Sequence, residues 1–425
     1  MHSNFNPIKT WLLAAVMVWF IHGTVSVNAA DPAAQPAVNA AAHAGATDHP
    51  EATKASIPVI KQFAYSYLTA FMFYLSICLG ALILVILHHL FDAGWSVPIR
   101  RFLEHIAFLL PVMGLLFLPI ALLATQIYPW MTMNPPDHSL AAKSVLFNQP
   151  TFYVVAFVIF ALWTWLTWNL RRWSIKQDET GDPKCTIMLR RYAAGGVWIF
   201  ALTLTFAAIY WMKSLQHQFF STMYGVYYFA GSTWTTLATC YLITIALSKG
   251  PLKGVIFKRQ IYDIGVLLFA FTVFYAYIHF SQYFLIWNAA IPEETFWYVL
   301  REKGSWWDVG MIILFGHFVV PFVTLLRIDV KLKLSIMFPV CVWVWCMHYL
   351  DMTFNIMPVL YPDGLHVTIW DPICLAVIGY VLYRVFKKSF AAHAPYPIRD
   401  PRLKEAITWH EEPDSTNVSN EGGAH

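Results

Sequence analysis

The segment Tyr275-Ala-Tyr-Ile-His279-Phe-Ser-Gln282-Tyr283-Phe-Leu-Ile-Trp287-Asn-Ala-Ala-Ile-Pro292-Glu-Glu-Thr-Phe-Trp297 decides how the rest of the chain is read. It starts inside an apolar run long enough to cross a bilayer, which takes about 20 residues, and ends in what reads as an acidic loop marked by Pro292. Tyr275, His279, Gln282 and Tyr283 recur at i, i+4, i+7 and i+8, so they share one helical face. Polar groups are costly at membrane depth, and such a face turns toward a bundle interior or a hydrated cavity. With no β-barrel alternation in the sequence, lipid leaves the backbone only helices. The fold class is therefore all-α, a polytopic membrane protein.

Composition agrees. Of 425 residues, 58% are hydrophobic and only 12% charged, too little charge for a soluble surface on a chain this long. Most of the 19 Trp read as interfacial anchors. A net charge of +4, with no basic stripe interleaved with aromatics, excludes a nucleic-acid partner and leaves membrane lipid as the surroundings. The six cysteines form no CxxC pair, so neither an iron–sulfur cluster nor structural zinc is expected from this chain alone. Covalent haem would need CxxCH, and a P-loop is also missing.

Residues 1–28 hold a first apolar run, Trp11 to Val27, that reads as a transmembrane helix or a signal-like segment. An Ala/Pro-rich extracytoplasmic linker follows at 29–62. Nine more spans are expected at 64–90, 105–125, 151–170, 192–212, 222–247, 264–288, 307–326, 335–357 and 372–386, which makes about ten helices. With the N-terminus inside, 22 of the 28 Lys and Arg fall in inner segments. That bias predicts a multi-pass protein with both termini cytoplasmic, unless the first segment is cleaved. Residues 391–425 then form a cytoplasmic tail.

Three histidines, His279, His317 and His348, lie well within spans, and Asp351 follows His348 by three residues on the same face. With Gln282 and Tyr283 they form a candidate proton path or quinone-binding cavity, since a His–Asp pair can exchange protons near neutral pH. His88, His89, Glu104, His105 and Asp263 form a candidate cytoplasmic proton entry; the plainer reading is of interfacial side chains reaching water. Asp263, Asp308 and Asp371 each read as a helix cap. Axial haem ligation by facing histidines is a competing reading that spacing leaves open.

The stretch His279-Phe-Ser-Gln-Tyr-Phe-Leu-Ile-Trp287 with Ile291-Pro-Glu-Glu-Thr295 closely resembles the ActF-type membrane subunits of bacterial alternative complex III, within the NrfD/polysulfide-reductase-like superfamily. So do Ser221-Thr-Met-Tyr-Gly-Val-Tyr-Tyr-Phe-Ala-Gly-Ser232, Gly316-His-Phe-Val-Val-Pro-Phe322 and His348-Tyr-Leu-Asp351 with Met357-Pro358. The resemblance implies two four-helix bundles (helices 2–5 at 63–213 and helices 6–9 at 214–358), with a peripheral first helix and a peripheral last helix at 359–390. It implies a bacterial inner-membrane subunit of a respiratory quinol:cytochrome c oxidoreductase that supports oxidation of menaquinol or ubiquinol and conducts protons. Haem and iron–sulfur centres are then held by partners: a multihaem cytochrome c, an iron–sulfur protein and a homologous ActC-type membrane subunit. No metal of its own is expected. Two departures stand out: Gln216-His-Gln-Phe219 replaces the family's Asp-Pro-His-Trp, and Asp263-Ile-Gly-Val266 lacks the lysine that often follows there, a candidate proton-path group. The alternatives are a quinone-interacting NrfD-type anchor of another periplasmic reductase, and a purely structural anchor.

Overall fold

The computed structural model describes residues 57–408, so the first apolar run, most of the linker and the polar end of the tail lie outside the described residues. Within that range all regular structure is helical. The principal helices are α1 (Val59–Leu90), α2 (Val97–Ala107), α3 (Gln149–Thr180), α4 (Pro183–Trp211), α5 (Tyr224–Ser248) and α6 (Lys258–Ala289). A short α7 (Pro292–Arg301) leads to α8 (Ser305–Ile313), which passes through a π-helical turn, Leu314–Val319, into α9 (Val320–Leu326). Then come α10 (Leu334–Ile356), α11 (Trp370–Ala391) and a last turn, α12 (Leu403–Thr408).

Among the described residues, seven stretches are long and apolar enough to cross a membrane: α1, Gly94–Leu122, α3, α4, α6, Ser305–Leu326 and Leu334–Val359. The chain is a helical polytopic membrane protein. Helices α5 and α11 stand at two further expected positions, but their composition is more polar. For α5 the reason is its place at the centre, packed by α1, α4, α6 and α10. Its buried Ser232, Thr233, Thr235, Thr236 and Thr239 each return the hydroxyl to the carbonyl four residues earlier, so polar side chains cost little there. In α11 it is Asp371, Arg384, Lys387 and Lys388 that lower the hydropathy.

Helices α1 and α5 approach closely because one contact is a glycine, the small-residue packing usual within membranes. A Cβ on Gly80 would run into the Thr236 side chain and the Ser232 carbonyl. Thr236 Oγ1, besides its bond to the Ser232 carbonyl, reaches the Ile77 carbonyl at 3.0 Å, and Tyr228 Oη bonds that of Met72 at 2.8 Å. Around this pair α1 also packs on α2, α4, α10 and α11, while α6 packs on α5 and α9. Trp163, Trp211, Trp234 and Trp306 are fully buried in the core rather than interfacial.

Several local expectations need correction. The basic loop between the third and fourth described spans is a helical hairpin: α3 runs ten residues past its apolar core, and the turn closes at Gly181 with φ +68°. The acidic loop after Trp287 is α7, entered through Ala290 at φ +52° and begun by Pro292 at its first position, where a missing N–H costs nothing. The expected 105–125 span is broken into Val97–Ala107, Leu110–Leu116 and Leu118–Leu122, since Pro111 and Pro119 cannot donate to the ladder. Asp263 is no cap: α6 begins at Lys258, where the Phe257 amide donates to Gln260 Oε1 at 2.9 Å. Asp308 lies exposed in the first turn of α8, after Gly304 at the cap position. Asp371 is not the cap residue either: it lies in the first turn of α11, after Ile369 at the cap position, and accepts from the Thr368 amide just upstream of the helix at 2.7 Å.

Candidate functional site

His317, His348 and Asp351 come together in the core, each with no measurable exposure. His348 and Asp351 stand on one face of α10; His317 stands in the π-helical turn. That turn precedes Pro321, which has no N–H for the His317 carbonyl, and the helix widens there instead of breaking. The His317 ring is sandwiched between Trp234 and Tyr275, with centroids 3.7 Å away on both sides. This fixes its plane. Neither of its ring nitrogens has a partner among the described residues.

His348 is oriented from α1. Its Nε2 lies 2.9 Å from Ser76 Oγ, and that hydroxyl donates its single proton to the Phe73 carbonyl at 2.6 Å. With the hydroxyl proton on that carbonyl, Nε2 is the donor to Ser76 and Nδ1 is the acceptor, without a partner among the described residues. Asp351 Oδ1 accepts from Tyr227 Oη and, at 3.3 Å, from Asn355 Nδ2, while Oδ2 is unpartnered. From Tyr227 the network runs to Tyr275 Oη at 3.1 Å and on to His279 Nδ1 at 3.3 Å. His279 is half-buried, the most open member of the chain.

Gln282 and Tyr283 belong to a neighbouring group. Gln282 accepts from Ser221 Oγ at 2.8 Å and donates to Tyr298 Oη at 3.1 Å. Tyr283 stacks on Trp287 and meets Tyr298 edge-on. Between this group and Asp351 lies Arg301, buried without a carboxylate partner among the described residues. Its guanidinium donates to the Phe354, Asn355 and Trp297 carbonyls and to Gln216 Oε1 at 2.9–3.1 Å, and lies 3.4 Å from the Trp297 ring centre. It thus caps the C-terminal, partially negative end of α10. Burial pushes its ionisation below the usual arginine range.

The departure at Gln216–Phe219 is tied into the same end of the bundle. His217 Nε2 and Gln218 Nε2 both meet Asp137 Oδ2, at 2.8 and 2.9 Å. Gln218, and then His217, hold the Asp137 carboxyl at about 2.

At the opposite end, His88, His89, Glu104 and His105 are buried rather than reaching water. Glu104 forms an ion pair with Arg100, 3.0 Å from its Nε, and accepts from Arg101 Nη1 at 2.9 Å and Ser174 Oγ at 2.7 Å. Arg100 donates to His88 Nε2 at 3.2 Å and pairs with Asp400; Arg101 pairs with Asp178. His105 Nδ1 meets Ser389 Oγ at 2.9 Å. Burial is affordable because nearly every charge is paired and hydrogen-bonded. Asp263 is half-buried on α6, 3.8 Å from Arg259.

The sequence reading did not single out Ser76, Tyr227, Trp234, Asn355 or Arg301. Asn355 lies four residues after Asp351, a spacing that could have found it; Ser76 and Trp234 sit in apolar runs with no local signal. No family model matches the chain, and no curated protein matches it.

Proposed function

We propose that the chain is a bacterial inner-membrane subunit of a respiratory quinol:electron-acceptor oxidoreductase, and that its role is to carry protons through the Asp351–Tyr227–Tyr275–His279 network, with His348 standing beside the carboxylate. The observation that supports this reading is the continuous hydrogen-bonded run from a buried carboxylate to a half-buried histidine, at the centre of apolar helices. Ionisable groups that deep in a membrane protein mark proton relays and substrate paths.

In this reading His317, His348 and Asp351 do not hold the quinone headgroup. The faces of His317 are filled by Trp234 and Tyr275, and His348 and Asp351 are closed off on all sides. Quinol is therefore assigned to a homologous membrane partner, with electrons passing to haem and iron–sulfur subunits. In this chain Asp351 takes and returns the proton, Tyr227 and Tyr275 pass it through their hydroxyls, and His279 exchanges it with water. Ser76 keeps His348 in one tautomer, and Arg301 fixes the end of the helix that carries Asp351.

Two measurements test this. A gentle-detergent pull-down should recover a multihaem cytochrome, an iron–sulfur protein and a second polytopic subunit; a molybdenum reductase instead would move the chain to another NrfD-type complex. The double variant His348→Gln/Asp351→Asn should assemble normally and turn over quinol at least about tenfold more slowly, the usual scale for loss of positioned acid–base groups. Unchanged turnover would leave only an anchoring role.

A further inference from the structure

We propose that His317, His348 and Asp351 form a binding site for a divalent transition-metal ion of the zinc class, and that metal and proton compete for it. One donor atom from each residue lies within 4.8 Å of the other two, and all three side chains are buried. Each of the three residues also has a buried polar atom without a partner among the described residues: Nδ1 of His348, Oδ2 of Asp351 and both ring nitrogens of His317. An unpartnered polar atom is expensive in a dry core, and three residues that each hold one, with donors this close together, call for a common partner.

The chemistry of the set suits such an ion. Two imidazoles and one carboxylate are a familiar three-donor set for zinc or iron(II), with positions left open for water. Ligating histidines commonly donate their other ring nitrogen to a neighbour that fixes the tautomer; Ser76 holds His348 Nε2–H in that way. The carboxylate is likewise anchored through its other oxygen by Tyr227 and Asn355. Bonds of about 2 Å would ask the donors to close inward by a small side-chain adjustment. Hard ions such as magnesium prefer oxygen-rich sites and are disfavoured by the two imidazoles.

Since each ligand must be deprotonated to bind, occupancy rises with pH and releases protons. An ion held by Asp351 Oδ2 blocks the oxygen that would otherwise accept a proton. Binding stands on the three side chains alone; only its effect on turnover rests on the quinol reading.

The test uses the complex, or the full chain in gentle detergent, equilibrated with Zn2+ and then desalted. Elemental analysis should find about one zinc per chain, consistent with a single three-ligand site. His348→Gln and Asp351→Asn should lose it while eluting at the wild-type size, and Ser76→Ala should bind about 10–100-fold more weakly, as expected for an outer-shell partner. Substitution with Co2+ in the unmutated protein gives a readout independent of variant folding: visible ligand-field bands of a four- or five-coordinate ion are expected. Equal zinc in wild type and variants, or no such bands, would overturn the site. Zinc binding without slowed turnover would uphold the site and count against the proton role instead.

Discussion

Gly231 lies against the imidazole of His348: a Cβ at that position would sit 2.9 Å from Cε1 and 3.2 Å from Nδ1 of the ring. The glycine on α5 therefore sets where the histidine of α10 can stand. Gly231→Ala is expected to push the ring away from Ser76 and Asp351, at an overpacking cost of about 1–3 kcal/mol. Quinol turnover should fall in step with the shift, and the imidazole resonances of His348 should move. Turnover and spectrum identical to wild type would mean that the ring has slack.

Arg301 should matter more for stability than a surface arginine does. Arg301→Leu leaves the carbonyls of Phe354 and Asn355 without their donors, and a loss of about 3 kcal/mol is expected from stranding buried acceptors. Arg301→Lys keeps the charge but cannot serve four acceptors with one planar fork, and should fall between the two. Thermal unfolding in detergent measures this; a leucine variant as stable as wild type would refute the capping role.

At the other end, Asp400→Ala removes one partner of buried Arg100 but leaves Glu104 in place. The expected cost is about 2 kcal/mol, below the range for a buried pair broken outright. Limited proteolysis is the more sensitive readout. The segment from 392 to 402 is held by Arg100–Asp400, Arg402–Asp92 and the Ile398 amide on Asp178, so its cleavage should speed up in the variant.

Lys213 gives a pH dependence of defined sign. Burial, reinforced by the charge of Lys143, pushes its ammonium group down from 10.5 to about 8. The unfolded chain keeps this proton to higher pH than the folded one, so stability rises with pH between 8 and 10.5 and is flat below that window. Lys213→Met should abolish the rise in Tm across that interval. A rise that persists in the variant would assign it to another group.

The helical membrane fold was legible because 20-residue apolar runs have few other outcomes. Span centres came out close, and so did the ends of the spans at 222–247, 307–326 and 335–357; other ends did not. Helix α3 runs through Arg171, Arg172 and Lys176 to Thr180, since helix propensity continues where hydrophobicity stops. Individual tryptophans could not be sorted for a related reason: Trp234 and Trp163 are apolar enough for an interface, yet each indole N–H finds a threonine hydroxyl at 2.8 Å inside the core. For the site, His317, His348 and Asp351 were readable as costly groups in apolar surroundings. Ser76 could not be found that way, because its contact with His348 spans 272 residues and depends on how α1 meets α10. The buried charge cluster was misjudged for the same reason: His88 and Glu104 look interfacial until Asp400 and Ser174 are brought over them.

That last closure has a bearing on biogenesis. Arg100 and Asp400 are separated by 300 residues, so the arginine enters its helix long before its partner has been translated. Until then Glu104, Ser174 and solvent must hold the guanidinium, and this end of the bundle stays hydrated. The dry, locked state can form only once nearly the whole chain has emerged. A stalled or truncated product would keep a water-accessible arginine there, a difference that a quality-control protease working at the membrane surface could detect.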